Sequence, residues 1–332
     1  MCIRDSPGPA GAPAAAAPVA IDQVRSLLHG LDRRQRQAVT HTEGPLLVVA
    51  GPGTGKTEVI TRRIAWLIAS KRARPSEILA LTFTERAADE MQARVDLLVP
   101  YGQTDTAVHT FHAFGDRLLR EHGHEIGLPD DARVIGQAQA IVLLRDNIFH
   151  LGLERYRPLG DPTRFVGALT DLFGRAKEQG IGPDDLEAYA RELDAGTRAA
   201  LEVVPEATAR ESLRGLLDEA LANAELARAY AAYQRLLAQR SMVDHGDQVA
   251  EAVRLLDERP LVRMLLRRRY RYVVVDEAQD ANPQQMRLVR QLVGRTGNVT
   301  FVGDDDQAIY SFRGAVGQGL AGLDDLYGSV KD

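Results

Sequence analysis

Residues 46–57 read Leu-Leu-Val-Val-Ala-Gly-Pro-Gly-Thr-Gly-Lys-Thr, a short apolar run that leads directly into a glycine-rich loop. The apolar run predicts a buried strand over Leu46–Ala50. Apolar residues then recur after the loop at helical spacing, at Ile60, Ile64, Leu67 and Ile68. A strand, a glycine-rich turn and a helix in this order predict a loop that surrounds an anion at the helix N-terminus.

The loop has the residues that a nucleotide phosphate chain requires. Glycines let consecutive backbone N–H groups point inward around phosphate oxygens. Lys56 is placed to reach the β- and γ-phosphates, and the hydroxyl of Thr57 to bind Mg²⁺. The loop fits the relaxed form of the phosphate-binding pattern, with Ala50 where the strict form has glycine. The candidate nucleotide-binding residues in the loop are Gly51, Pro52, Gly53, Thr54, Gly55, Lys56 and Thr57.

A second motif, Val-Val-Val-Asp-Glu-Ala-Gln-Asp at 273–280, follows another apolar run. Asp276 at the end of such a strand can hold Mg²⁺, and the adjacent Glu277 can take a proton from the attacking water. The two motifs together predict an ATP-hydrolysing site with Lys56 and Glu277 as catalytic residues and Thr57 and Asp276 as Mg²⁺ ligands.

The remaining apolar runs predict an α/β fold built on a parallel sheet flanked by helices. These runs are short, apolar on both faces and followed by amphipathic stretches. The predicted strands are Leu46–Ala50, Ile78–Phe83, Thr106–His109, Tyr272–Asp276 and Val299–Val302. Strand patterns are absent from about Phe114 to Val243, which predicts an inserted all-helical domain between the third and fourth strands.

Composition restricts the function classes without choosing one. The 332 residues carry a formal net charge of −5 and a single cysteine, Cys2, so the chain cannot form an internal disulfide. No apolar run approaches the ~18 residues that cross a bilayer. We therefore expect a cytoplasmic protein with no membrane partner. Residues 1–20 are rich in alanine and proline and predict a disordered tail.

The motifs together resemble the UvrD/Rep/PcrA group of superfamily 1 DNA helicases, from about Leu31 to Ala315. Residues 31–39 resemble the segment in which a glutamine, here Gln35, recognises adenine. Residues 276–280 match the group's Asp-Glu-x-Gln-Asp signature. Two further segments resemble those that contact single-stranded DNA, with candidate residues Thr82, Phe83, Thr84, Thr110, Phe111 and His112.

A third motif, at 303–315, reads Gly-Asp-Asp-Asp-Gln-Ala-Ile-Tyr-Ser-Phe-Arg-Gly-Ala. By resemblance, Gln307 senses the γ-phosphate as a catalytic residue, and Tyr310, Phe312 and Arg313 contact DNA. Aromatic rings stack on any base, so they grip a strand without sequence preference. Glu58 stands where many relatives have arginine, and Phe312 where relatives commonly have tryptophan.

The resemblance implies a P-loop NTPase (RecA-like) motor domain over residues 21–115 and 244–332, with an inserted helical subdomain over 116–243. Relatives continue into a second motor domain, so we expect this chain to be the N-terminal half of a helicase.

Three functions remain open. The first is an ATP-dependent, 3′-to-5′ DNA helicase or translocase that uses ATP and Mg²⁺. Its expected partners are single-stranded DNA, junctions between single- and double-stranded DNA, and repair or recombination proteins. The second is a fragment that binds ATP and DNA with little turnover. The third is the motor of a RecB- or AddA-like helicase-nuclease, which the length of the helical insert favours.

Overall fold

The computed structural model describes residues 18–99, 105–295 and 297–304. A five-stranded, fully parallel sheet lies at its centre, and a two-stranded parallel ribbon lies apart from it. The strands are β1 (Leu46–Val49), β2 (Ile78–Thr82), β3 (Ala107–Thr110), β4 (Arg133–Ile135), β5 (Met242–Asp244), β6 (Tyr272–Val275) and β7 (Asn298–Gly303). The central sheet has the order β1-β7-β6-β2-β3, and the ribbon pairs β4 with β5.

The α-helices flank the central sheet or build the insert. They are α1 (Pro18–Leu28), α2 (Arg33–Thr40), α3 (Lys56–Ala69), α4 (Glu85–Leu98), α5 (Phe111–His122), α6 (Gln137–Asp146), α7 (Val166–Gln179), α8 (Pro183–Val203), α9 (Ala207–Gln239), α10 (His245–Glu258), α11 (Pro260–Arg269) and α12 (Pro283–Val293). No helix in the described part of the chain is long and apolar enough to cross a membrane. Helix α1 shows that the predicted tail, residues 1–20, is helical from Pro18; residues 1–17 lie outside the described residues.

Helices cover the central sheet on both faces, because most positions of its strands are apolar on either face. Along β2, Leu79 and Leu81 point into one core, formed with α5, α10, α11 and α12. Ile78 and Ala80 point into the other, formed with α1 to α4. This alternation follows from the two-residue period of a strand. All five predicted strands are confirmed to within one residue at each end.

The insert forms a third core from α6, α7 and α9, where Phe173 stacks on Tyr230 and Tyr233. Helix α8 packs along α9. The insert differs from the all-helical prediction by the ribbon: β4 lies within residues 116–243 and pairs with β5, which overlaps their end, through the register Val134–Val243. Three residues are too few to show a strand period, so the sequence pattern could not reveal β4.

Parallel strands place all their carboxyl ends at one edge of the sheet, which we call the C-terminal edge. The ends of β1, β7 and β6 lie side by side there, followed by β2 and β3. In open α/β sheets, ligands bind outside this edge. The candidate residues that follow β1, β2, β3 and β6 therefore fall on one side of the domain.

Candidate functional site

The glycine-rich loop leaves β1 and turns directly into α3. Its Gly53 and Gly55 have φ angles of +72° and +86°, a left-handed conformation that favours glycine. The loop is fixed at its start by Ala50 N–H, which donates to the carbonyl of Gly303 on β7 at 3.0 Å. Within the loop, Thr54 Oγ1 donates to the Gly51 carbonyl at 2.7 Å. Helix α3 begins at Lys56, so its positive N-terminal end faces the loop.

Lys56 joins the loop to the ends of β6 and β7. Its ammonium lies 3.3 Å from Glu277 Oε2 and 3.8 Å from Asp304 Oδ2. Only 10% of the Lys56 side chain is exposed, whereas 41% of the Glu277 side chain is. The glutamate is therefore open to water, and the lysine is held against the protein between two carboxylates.

Asp276 is buried at the end of β6, where its N–H donates to the Leu81 carbonyl of β2. Burial, together with the neighbouring carboxylate of Glu277, raises the pKa of Asp276 to about 6. A buried carboxylate beside a second one is stabilised by a divalent cation, which prefers such hard oxygen ligands.

Glu277 has a left-handed backbone, with φ +48° and ψ +44°, in a residue that is not glycine. Such a conformation costs on the order of 1 kcal/mol or more and persists where the surroundings fix it. The turn directs the chain from β6 into a short 3-10 helix, Ala278–Asp280. Gln279 in this turn donates from Nε2 to Glu277 Oε2 at 2.9 Å and accepts at Oε1 from Asp304 N–H at 3.0 Å.

Gln35 lies over the same loop. It stands at the third position of α2 and forms a capping box with Asp32, in which its Oε1 accepts from Asp32 N–H. Its Nε2 donates to the Thr54 carbonyl at 3.0 Å. An amide has a second N–H and a second acceptor lone pair, so Gln35 retains one of each for a purine edge.

The candidate DNA-contacting residues lie at the ends of β2 and β3 but differ in accessibility. Phe83, Thr84 and His112 are partly or fully accessible. Thr82, Thr110 and Phe111 are buried, with at most 3% exposed. The buried three help to build the edge: Thr110 caps α5 and donates to Glu85, while the Phe111 ring packs against Phe83 in the core. Their contact with DNA stays a prediction.

His112 stacks on His245, with ring centroids 3.7 Å apart and planes at 17°. Burial and the neighbouring His245 lower the pKa of His112 to about 4. His112 is therefore neutral near pH 7. The third motif's Gln307, Tyr310, Phe312 and Arg313 lie outside the described residues.

Two buried cations were not singled out from the sequence. Arg63 on α3 is 1% exposed; its Nε donates to Thr300 Oγ1 on β7 and its Nη1 to the carbonyls of Ala38 and His41 at the end of α2. Burial lowers the pKa of Arg63 to about 10. This side chain ties the helix that carries Gln35 to the helix that carries Lys56.

The second is Lys177 on α7, 3% exposed, which joins the insert to α10. Its ammonium lies 2.5 Å from Asp244 Oδ2 and 2.8 Å from Asp247 Oδ1, and Tyr233 also donates to Asp244. Burial opposes the charge of Lys177, but the two carboxylates outweigh it and raise its pKa. Charged residues on helices are usually solvated, so the sequence around Arg63 and Lys177 does not distinguish them from surface residues.

Comparison with known proteins gives a consistent result. A family described as "UvrD/REP helicase N-terminal domain" matches residues 31–327. The chain is 33% identical to the ATP-dependent DNA helicase PcrA of Bacillus subtilis over 289 residues, which is 87% of this chain and 34% of that protein. It is 38% identical to the ATP-dependent DNA helicase UvrD1 of Mycobacterium tuberculosis over 299 residues, 87% of this chain and 34% of the relative.

DNA helicase II of Escherichia coli is 32% identical over 293 residues, covering 88% of this chain and 36% of that helicase. The chain thus spans about one third of the length of the curated relatives it matches.

Proposed function

The chain belongs to the UvrD/REP helicase family, and on that premise we propose that it is the ATP-binding part of an ATP-dependent DNA helicase or translocase. The observation that carries this proposal is the convergence of Lys56, Glu277 and Asp304 at the C-terminal edge of the sheet. These residues come from three elements and meet directly beside a glycine-rich loop that opens a helix.

The loop and α3 bind the phosphates of ATP. Positive potential comes from the backbone N–H groups around Gly53 and Gly55 and from the helix N-terminus. These fixed dipoles attract the phosphates and transfer no proton to them. Lys56 adds a full charge, placed to contact the outer phosphates. Gln35, with its spare donor and acceptor, recognises the adenine edge.

Thr57 and Asp276 would hold Mg²⁺, which supplies charge neutralisation to the phosphates when it is bound. The donors fit this ion: a hydroxyl in the first turn of α3 and the carboxylate of Asp276. Burial and repulsion from Glu277 raise the pKa of this carboxylate, and a bound cation would offset both by stabilising its charge.

Glu277 accepts the proton of the attacking water. Its carboxylate is 41% exposed, so water reaches it, and its Oε2 is held by Lys56 and Gln279. Oε1 has no hydrogen-bond partner within the described ranges, which leaves this oxygen to accept the proton.

Single-stranded DNA binds across the ends of β2 and β3, where Phe83, Thr84 and His112 are accessible. β2 lies beside β6, so these residues adjoin the strand end that Asp276 and Glu277 follow. By family resemblance, Gln307 senses the γ-phosphate, Tyr310, Phe312 and Arg313 contact DNA, and movement is 3′ to 5′. The domain boundaries at 21–115, 116–243 and 244–332, a cytoplasmic location, junction substrates, and repair or recombination partners are proposed on the same basis.

ATP hydrolysis measured with and without a single-stranded oligonucleotide tests the function, with Lys56→Ala as the inactive control. We expect stimulation by the oligonucleotide that Lys56→Ala lacks. Because the chain covers about one third of its relatives' length, the alternative is binding of ATP and DNA with little turnover. Nucleotide binding with hydrolysis no faster than in Lys56→Ala favours that alternative.

A further inference from the structure

Gln279 contacts the proposed general base and the end of a neighbouring strand at the same time. Gln279 is 4% exposed, and its side chain makes two hydrogen bonds, to Glu277 Oε2 at 2.9 Å and to Asp304 N–H at 3.0 Å. Gln279 is not among the catalytic, nucleotide-binding, metal-binding or DNA-binding candidates named from the sequence.

The chemistry of its partners fixes how the Gln279 amide is oriented. A backbone N–H can only donate, so the amide oxygen faces Asp304. An ionised carboxylate can only accept, so the amide nitrogen faces Glu277. Rotation of the amide by 180° would place oxygen against oxygen and N–H against N–H, and both bonds would be lost.

This orientation determines which carboxylate oxygen of Glu277 faces the reaction. Lys56 and Gln279 both donate to Oε2. With Oε2 held by two donors, the carboxylate cannot rotate freely about its last torsion, and Oε1 stays directed away from them. The left-handed backbone at Glu277 brings Gln279, two residues later, into reach of that oxygen.

We infer that Gln279 is a positioning residue: it anchors the Glu277 carboxylate to the Asp304 backbone at the end of β7, so that Oε1 is oriented to take the proton of water. This inference rests on the proposed function. A residue of this kind acts on the transition state and leaves ground-state nucleotide binding largely unchanged.

The test compares two probes on the 332-residue chain: Mg·adenylyl imidodiphosphate for the ground state, and Mg·ADP with aluminium fluoride for the transition state. Gln279→Leu removes both hydrogen bonds. Gln279→Glu keeps an acceptor for Asp304 N–H but places a second carboxylate against Glu277. Gln284→Leu is the matched control, since Gln284 is a buried glutamine nearby that lies against Gly180.

We expect both Gln279 variants to lower the preference for the aluminium fluoride complex by about tenfold or more, as loss of a fixed transition-state contact does. Binding of the imidodiphosphate should stay within about threefold of the parent, and Gln284→Leu should match the parent. Glu277→Gln should show the same loss of preference. The double variant Gln279→Leu/Glu277→Gln should lose no more than either single variant, because one residue acts through the other.

The inference is overturned if Gln279→Leu prefers the aluminium fluoride complex as strongly as the parent does. It is equally overturned if the losses of the two single variants add up in the double variant, or if Gln279→Leu loses affinity for both probes equally. It is also overturned if the parent chain binds the imidodiphosphate but does not prefer the aluminium fluoride complex, since Glu277 then contributes nothing to be positioned. Failure of the proposed function looks different: the parent chain would bind the imidodiphosphate no better than Lys56→Ala.

Discussion

The ammonium of Lys56 lies 3.3 Å from a carboxylate oxygen of Glu277, which is 221 residues further along the chain. One residue ends the glycine-rich loop and the other follows β6, so the contact joins the two motifs into one site. An ammonium has three N–H donors, and a phosphate oxygen bound to Lys56 would share them with Glu277. The proposed base is thereby kept within reach of the bond that breaks.

Substitution of these two residues should separate binding from hydrolysis. Lys56→Ala should weaken Mg·ATP binding by at least about tenfold, because the carboxylates of Glu277 and Asp304 then repel the phosphates without compensation. Glu277→Gln should bind ATP at least as well as the parent and lower any hydrolysis by about 10²–10⁴-fold. Titration with a fluorescent ATP analogue and steady-state phosphate release measure the two effects. The exposed Lys71→Ala serves as control, and equal loss of binding in both site variants would contradict the assignment.

Lys177 should be a major determinant of stability because it joins the insert to α10 through two buried carboxylates. Lys177→Met leaves Asp244 and Asp247 facing each other without a cation and should lower the free energy of unfolding by about 3–5 kcal/mol. Urea unfolding followed by far-ultraviolet circular dichroism measures the change. Adding Asp244→Asn and Asp247→Asn to Lys177→Met should restore part of the loss. If Lys177→Met is as stable as the parent, the ion pairs of Lys177 with Asp244 and Asp247 contribute nothing to stability.

The His112–His245 stack should make stability sensitive to acid. The folded-state pKa of His112, about 4, lies below the ordinary value of 6.5. The unfolded chain therefore binds this proton first, and the free energy of unfolding should fall as the pH drops from about 6.5 to 4. His112→Gln should show a smaller fall across this window. Identical slopes for the parent and His112→Gln in urea unfolding would contradict the burial-induced shift.

Arg63 should couple adenine recognition to the phosphate loop. Arg63→Met leaves the carbonyls at the end of α2 and the Thr300 hydroxyl without their donor, and each buried group left unpaired costs about 1–3 kcal/mol. We expect a loss of stability on the order of 3 kcal/mol and a weaker preference for ATP over GTP, because α2 carries Gln35. Competition binding with the two nucleotides measures the preference. Arg34→Met, at an exposed position on α2, should change neither property; an unaltered preference in Arg63→Met would refute the coupling.

The nucleotide site was accessible from sequence because its signals are local. A buried parallel strand is a continuous apolar run, and the loop and Asp276-Glu277 each follow such a run directly. The interactions that organise the site are not local. Arg63 binds carbonyls more than twenty residues away, and Lys177 binds carboxylates 67 and 70 positions later, so composition and periodicity gave no sign of either.

The predicted DNA contacts show a related limit. A motif names a segment but not which of its side chains face outward. Phe111 follows directly after β3 and enters the core against Phe83, whereas Thr84 and His112 stay accessible. The strand register and the start of α5 decide this, and neither is fixed by the motif itself.

The central claim is that Lys56, Asp276 and Glu277 form the ATP site of a DNA motor. The most direct test is the rate of ATP hydrolysis with and without single-stranded oligonucleotide, for this chain and for any longer form of the protein that its gene encodes, each beside its Lys56→Ala variant. We predict hydrolysis that the oligonucleotide stimulates and that Lys56→Ala abolishes. Hydrolysis by the longer form at the same rate with and without oligonucleotide would contradict the claim.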